Sequence, residues 1–256
     1  MKSNELKQGI QTDHPPVALI TGGAKRIGKE ISRSLHANGY NVMIHYRSSK
    51  NAATELITEL NNIRANSAAA TQYDLLDLKS IPSVIDHTIQ QFGQLNALIN
   101  NASTFYTTPI ELVEEEFWND LMGSNLKAPA FLTKTAAQHL RKTNGNIINI
   151  VDIYADRPLN NHPIYCAAKA GLEMLTKSLA RDLAPEIRVN GVAPGAILWP
   201  ENGNSEFTIE QIIERIPLNR MGEPSDIAKT VLFLITEATY ITGQIIKVDG
   251  GRSIVI

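Results

Sequence analysis

The sequence predicts a single α/β domain, a doubly wound sheet of about seven parallel strands with helices on both faces. Three observations carry that expectation. Short β-branched or apolar runs alternate with longer amphipathic stretches from Val17 onward, which is the pattern of repeated βα units. The short runs are apolar almost throughout, as in the IINIV segment at 147–151, and such strands suit a sheet covered on both sides. No linker, internal repeat or low-complexity tract interrupts the 256 residues, so one large core is expected.

Taken in order, the expected strands are 17–21, 41–46, 68–74, 95–100, 146–151, 188–193 and 245–248, with helical patterns filling most intervals. Two of these patterns are long, at 112–140 and at 165–184, and the second stops at Pro185 because proline cannot continue a helix. Residues 1–15 are polar and read as a flexible tail, leaving 16–256 as the domain. Two stretches break the rhythm. One is 103–109, directly after the fourth strand, and the other is 195–208, rich in loop formers. In open α/β sheets the ligand crevice lies beyond the carboxyl ends of the strands, so both stretches are expected at one site.

Composition narrows the function classes. Lysine and arginine number 24 against 26 acidic residues, for a net charge of −2, which gives no electrostatic case for nucleic acid or an anionic membrane as a main partner. The 43% hydrophobic and 20% charged content is that of an ordinary globular protein. Cys166 is the single cysteine, so neither an intramolecular disulfide nor a cysteine zinc site is available, and no metal is expected. The first segment has no apolar run, unlike a secretory signal or membrane anchor, and a cytoplasmic location is the default expectation.

Thr21 to Gly28 reads TGGAKRIG, immediately after the first strand and before a helical pattern. A glycine turn of this kind lets backbone N–H groups and a helix N-terminus approach a pyrophosphate, the physical basis of Rossmann-type dinucleotide binding. The second strand ends about 20 residues further on, where an NAD site places an acid on the ribose hydroxyls. No acid stands there. His45, Arg47 and Ser48 offer cationic or hydrogen-bonding groups to a 2′-phosphate, which points to NADPH; a solvated loop charge at Arg47 and a packed strand histidine at His45 are the alternatives. Asp74, closing the third strand, is read either as an acceptor for an adenine amino group or as a turn residue, and Asp77 as a helix cap. Asn101, Ala102 and Ser103 follow the fourth strand and are small enough for backbone to lie against ribose and nicotinamide.

Tyr165 and Lys169 are four apart at the start of a helical segment, one above the other on a helix face. A neighbouring ammonium favours tyrosinate and is expected to lower the phenol pKa, making Tyr165 a usable acid or base in hydride transfer. Asp152 follows the fifth strand, and Asn125 falls in the middle of the preceding helical pattern.

TGxxxxxG, NNA, a central Asn, Tyr-x-x-x-Lys and Pro194-Gly195 together resemble the short-chain dehydrogenase/reductase family over nearly the whole chain from Val17. The resemblance implies a proton relay through Asn125, Tyr165 and Lys169. It implies a cofactor lined by Gly22, Arg26, Ile27 and Gly28, by His45, Tyr46, Arg47 and Ser48, by Asp74 and Leu75, by Asn101, Ala102 and Ser103, by Tyr165 and Lys169, and by Pro194, Gly195 and Ile197. A homotetramer built on the two long helices is also implied.

Two departures add charge to the site. Arg26 replaces the usual glycine of the phosphate turn, and Asp152 replaces the usual catalytic serine. A carboxylate cannot donate to a substrate carbonyl unless protonated, so Asp152 favours a substrate that offers N–H donors or needs a ring nitrogen protonated. With HYRSS, NNASxFYxTP and KVDGG, these features resemble the pteridine reductases within the family. That resemblance implies Phe105 stacked on a pterin opposite the nicotinamide, and Arg26 and Ser103 reaching cofactor phosphates or substrate. It implies Asp152 or Tyr165 directing a proton to a dihydropterin or dihydrofolate. Trp199 and Tyr106 are further pocket candidates from their loops. The PLNRMGEPSDIA segment keeps a 3-oxoacyl thioester reductase as the alternative. A silent NADPH-binding sensor is a third reading, opposed by the intact Tyr165 and Lys169.

Overall fold

The computed structural model describes residues 14–197 and 208–255. Its seven strands are β1 (Val17–Ile20), β2 (Asn41–Tyr46), β3 (Ala68–Gln72), β4 (Ala97–Asn100), β5 (Asn146–Ile150), β6 (Arg188–Pro194) and β7 (Ile245–Val248). They form one sheet in the order β3-β2-β1-β4-β5-β6-β7, and every neighbouring pair is parallel. The helices are α1 (Arg26–Ala37), α2 (Lys50–Ile63), α3 (Ile81–Phe92), α4 (Glu115–Met122), α5 (Ala128–Arg141), α6 (Pro163–Asp182), α7 (Ile209–Ile213) and α8 (Pro224–Thr236). No helix among the described residues is long and apolar enough to cross a membrane.

All four residues of β1 are fully buried, and they alternate between two cores as strand geometry requires. Ala18 and Ile20 join Ile31, Leu35, Leu56, Val231 and Leu234 beneath α1, α2 and α8. Leu19 joins Ile85, Leu132, Leu140 and Val189 on the opposite face, beneath α3, α5 and the end of α6. Burying each such side chain is worth roughly 1.5–3 kcal/mol, so both faces contribute to stability and neither is left for water. Strand order reverses between β1 and β4, which opens the crevice where this architecture binds ligands.

Strand limits differ from the sequence reading where side chains take over from the ladder. β1 ends at Ile20 instead of 21, because the Thr21 hydroxyl accepts from the N–H groups of Asn101 and Ala102 at 2.9 and 3.0 Å. β3 stops at Gln72 rather than 74, where the Asp74 carboxylate accepts from the Leu76 N–H at 3.0 Å and starts a turn. Asp77 is not the cap of α3. It accepts from the Lys79 N–H at 3.0 Å, and Ser80 holds the N-cap position. The pattern at 112–140 is not one helix, since a π-helical turn (Gly123–Lys127) separates α4 from α5. A Cβ on Gly123 would stand 2.6 Å from Leu76 Cδ2, so the exposed Leu76 side chain would have to move.

Candidate active site

The turn after β1 shows why glycine is needed at two positions. Gly22 has φ +60°, a left-handed conformation that glycine adopts without a steric penalty. A Cβ on Gly28 would lie 2.3 Å from the Gly22 oxygen and 2.6 Å from Asn101 Nδ2, so the turn closes on α1 only with glycine there. Asn101 is a brace for this turn. Its amide donates to the oxygens of Thr21 and Gly22 at 2.9 and 3.2 Å. Arg26 opens α1 with φ +51°, a conformation costing a non-glycine residue roughly 1–2 kcal/mol. The first turn of α1 carries no acidic residue, so its positive end faces the crevice uncompensated, as an anion site requires.

Beside this turn the crevice is walled by Gly22, Ala24 and Lys25, by His45 to Ser49, by Asp74 and Leu75, and by Ala102 to Thr104 with Ser124. The narrow glycine cradle, the helix N-terminus and the row of polar groups fit the pyrophosphate and ribose of a nicotinamide dinucleotide. Arg47 and Ser48 are exposed on this wall, and no carboxylate occupies the end of β2. Sequence reasoning does not single out Lys25, Ser49, Thr104 or Ser124. Lys25 carries a signal, being a cation inside the glycine turn, whereas Ser124 reaches the crevice only through the π-helical turn.

His45 follows the packed-histidine alternative. It is 2% exposed, and its Nδ1 accepts from the Gly22 N–H at 3.3 Å while its Nε2 faces the Tyr73 oxygen at 3.0 Å. A ring that accepts at Nδ1 and donates at Nε2 is neutral. Burial lowers its pKa to about 4. His45 therefore bolts β2 to the glycine turn and to the end of β3, and offers no positive charge to a phosphate. Ile197 is packed in the core beneath α1 and α8, and the half-buried Ile27 of α1 packs against that core. Gly195 is required by the close approach of Asp249, whose Cβ would lie 2.6 Å from an added Cβ. It follows Pro194, the last residue of β6. Trp199 lies outside the described residues.

Beyond β5, Asp152 holds two hydrogen bonds. Oδ1 accepts from the Tyr154 N–H at 2.9 Å, and Oδ2 accepts from the Tyr165 hydroxyl at 2.7 Å. Burial raises the Asp152 carboxyl above the usual carboxylate range, against opposing hydrogen bonds and the charges of Lys169 and Arg252. Tyr165 departs from expectation. Burial first, and then the Asp152 charge, hold its phenol well above the ordinary range, the opposite of the lowering expected from Lys169. Lys169 is 2% exposed and donates from Nζ to the Ile150 oxygen at 2.9 Å, with Nζ 5.7 Å from the centre of the Tyr165 ring. Burial lowers its pKa to about 8, against the Asp152 charge.

Asn125 sits in the π-helical turn and not in an α-helix; such turns are frequent at functional sites. Its Oδ1 accepts from the Ser103 hydroxyl at 2.7 Å, and its Nδ2 donates to the oxygens of Thr104 and Leu121 at 2.9 and 3.0 Å. The Ser103 hydroxyl is thus engaged by Asn125. Phe105, 52% exposed, stacks on His162 at 4.7 Å and 11° and stands edge-on to Tyr165 at 4.8 Å. No sequence signal marks His162 as its support. Tyr106 packs edge-on against Phe117 of α4 at 5.8 Å, and burial with the Asp120 carboxylate pushes its phenol up to about 12. These contacts tie the segment after β4 to α4.

Comparisons with known proteins agree with this geometry. A family model described as enoyl-(acyl carrier protein) reductase matches residues 22–253. The chain is 37% identical over 281 aligned positions to pteridine reductase 1 of Leishmania tarentolae, covering 93% of this chain and 96% of that protein. It is also 37% identical over 238 positions to the 3-oxoacyl-[acyl-carrier-protein] reductase FabG of Staphylococcus epidermidis, covering 91% and 97%. A putative ketoacyl reductase of the granaticin polyketide synthase of Streptomyces violaceoruber is 33% identical, over 94% and 98%. With a parallel seven-stranded sheet, a glycine cradle at its switch point and the Tyr165–Lys169 pair beside it, the chain belongs to the short-chain dehydrogenase/reductase family of oxidoreductases.

Proposed function

We propose that this oxidoreductase is an NADPH-dependent pteridine reductase acting on dihydropterins or dihydrofolate. The observation that carries the reading is the 2.7 Å hydrogen bond from the Tyr165 hydroxyl to Asp152, beside the exposed ring of Phe105. A carbonyl reductase needs a neutral donor at position 152, and an ionised carboxylate has none. A bicyclic ring bearing N–H groups finds in Asp152 an acceptor and, once the carboxyl is protonated, a donor. Burial, which raises the Asp152 carboxyl, favours that protonated form relative to a carboxylate in water.

In this reading Phe105, resting on His162, offers its free face to the pterin. The reduced nicotinamide supplies the hydride, which adds to the carbon of a ring C=N bond. Tyr165 and Asp152 share the proton delivered to the neighbouring nitrogen. Lys169, pinned to the Ile150 oxygen, holds a positive charge under the pair and orients the ribose, and Asn125 fixes Ser103 and the Thr104 backbone. Arg47, Ser48 and Lys25 surround the 2′-phosphate, with no acid at the end of β2 to repel it, which is the basis for choosing NADPH over NADH.

The 37% identity to FabG favours a second reading, reduction of a 3-oxoacyl thioester. Purified protein with NADPH is assayed against 7,8-dihydropterins, 7,8-dihydrofolate and a 3-oxoacyl thioester. Faster turnover of a pterin supports the first reading, and turnover of the thioester alone overturns it. A homotetramer is proposed with it, since Trp118 of α4, Phe131 of α5 and Met174 of α6 are large apolar side chains left exposed; light scattering on the eluted protein tests it.

A further inference from the structure

Outside the proton pair, Arg252 stands against Tyr154, two residues after Asp152. The Ile153–Ala155 turn places Tyr154 next to Asp152, whose Oδ1 holds its N–H. The Arg252 guanidinium stands over the Tyr154 ring, 5.9 Å from its centre, a cation–π distance. Arg215 is also near enough for its charge, with that of Arg252, to pull the Tyr154 phenol down against burial. Arg252 reaches Asp152 in the same way.

The placement of these cations is built into the backbone. Gly250 and Gly251 have φ of +63° and +87°. A Cβ on either would strike Ile216 at 2.7 Å or Pro217 at 2.9 Å, so the glycines let the segment after α7 lie against the turn that carries Arg252. Asp249, the nearest acid in sequence, is committed to the N–H groups of Gly251 and Ser253. Arg157 donates to the Val255 oxygen at 2.6 Å, and Lys247 pairs with Asp156 at 2.5 Å. Both contacts tie the C-terminal segment to the turn after β5. Among the described residues no acidic side chain pairs with Arg252.

We propose that Arg252 forms a subsite for an anionic group on the substrate, a carboxylate or a phosphate, carried on the tail of the ring that reacts at Asp152 and Tyr165. The proposal rests on the pterin reading for the ring, not for the charge. A guanidinium parked on an aromatic face, partly exposed and without a carboxylate partner, keeps its donors for such an oxyanion. The ring then reacts at Tyr165 and Asp152 while the tail passes Tyr154 toward Arg252.

The test uses matched pairs that share a reacting group and differ in tail charge. These are 7,8-dihydroneopterin with its monophosphate, 7,8-dihydrobiopterin with 7,8-dihydrofolate, and the N-acetylcysteamine with the coenzyme A thioester of 3-oxobutyrate. For each pair kcat/KM is measured at two salt concentrations in the parent and in Arg252→Gln and Arg252→Lys. Because Arg252 also biases Asp152, the ratio within a pair is the readout, and the shared reacting group cancels that bias. A preference of about tenfold or more for the anionic partner is expected. It should shrink with salt, collapse in Arg252→Gln and return in part in Arg252→Lys. The phosphate and carboxylate pairs report which anion is taken. Collapse seen in the thioester pair alone upholds the subsite and overturns the pterin reading. A ratio unmoved by Arg252→Gln in every pair, or no preference in any, overturns the subsite, and pterin turnover then still stands by itself.

Discussion

The Tyr165 hydroxyl donates to Asp152 Oδ2 at 2.7 Å, and both groups have pKa values pushed upward by burial. The pair therefore holds a proton more tightly than either side chain in water. Lys169 lies under the ring of Tyr165 and bonds to the Ile150 oxygen, so its charge acts on the pair across a short gap and not through a direct bond to the phenol oxygen.

Replacing Asp152 by Ser should lower kcat/KM for a dihydropterin by about 100-fold or more, the scale of losing one positioned proton carrier. It removes the adjacent anion, so the Tyr165 phenol should titrate at lower pH. The serine hydroxyl can donate to a carbonyl, so turnover of a 3-oxoacyl thioester should rise. Steady-state kinetics on both substrates check this, and equal losses on both would contradict it.

The Lys169 ammonium, with its pKa lowered from 10.5 to about 8, should be lost as pH rises through about 8, and activity should fall with it. Stability should move the opposite way. Between about 8 and 10.5 the unfolded chain binds this proton and the folded chain does not, so the folded state gains with rising pH. Denaturant melts of the parent and of Lys169→Met across this range should show the parent gaining on the variant, while the alkaline loss of activity identifies the same group.

His45 makes the acidic counterpart. Its folded pKa of about 4 lies below the ordinary 6.5, so the unfolded state takes up a proton first as pH falls. Stability is fully present above about 6.5 and declines toward pH 4, by up to about 3 kcal/mol for this group. His45→Asn should melt earlier at pH 7 and lose less on acidification. It should also weaken NADPH binding, because the Gly22 N–H loses its acceptor. Urea melts at pH 7 and pH 4.5, with fluorescence titration of NADPH, measure both effects.

Arg47→Ala should reduce kcat/KM for NADPH by about 10- to 100-fold, as expected for one charged hydrogen bond of roughly 1.5–3 kcal/mol, and leave NADH within about threefold. Comparison of the two cofactors at one fixed substrate concentration distinguishes a 2′-phosphate contact from a solvated loop charge.

Much of the site was legible because its parts are local. TGGAKRIG must turn after a strand wherever it stands, and Gly28 has a steric reason for being glycine that a neighbouring backbone enforces. Tyr165 and Lys169 share a helix face through covalent spacing alone. The alternation of apolar runs and amphipathic stretches was enough to predict seven parallel strands, with errors of only a few residues at their ends. The break of 112–140 at the π-helical turn was not legible, since the apolar pattern runs through Gly123–Lys127 without interruption.

What sequence determined by itself, then, was the sheet, the cradle and the shared helix face of Tyr165 and Lys169. The tertiary structure decided what each of them faces. His45, read either as a cationic or hydrogen-bonding group for a phosphate or as a packed strand histidine, is a neutral bolt because β2 places it between Gly22 and Tyr73. The Tyr165 phenol rose instead of falling because burial and the Asp152 charge both raise it. Arg252 came to stand over Tyr154 from 98 residues further along the chain. Periodicity and turn chemistry are set by covalent neighbours. Desolvation and charge pairing depend on every group that packing brings near, so they are decided only when the strands are side by side.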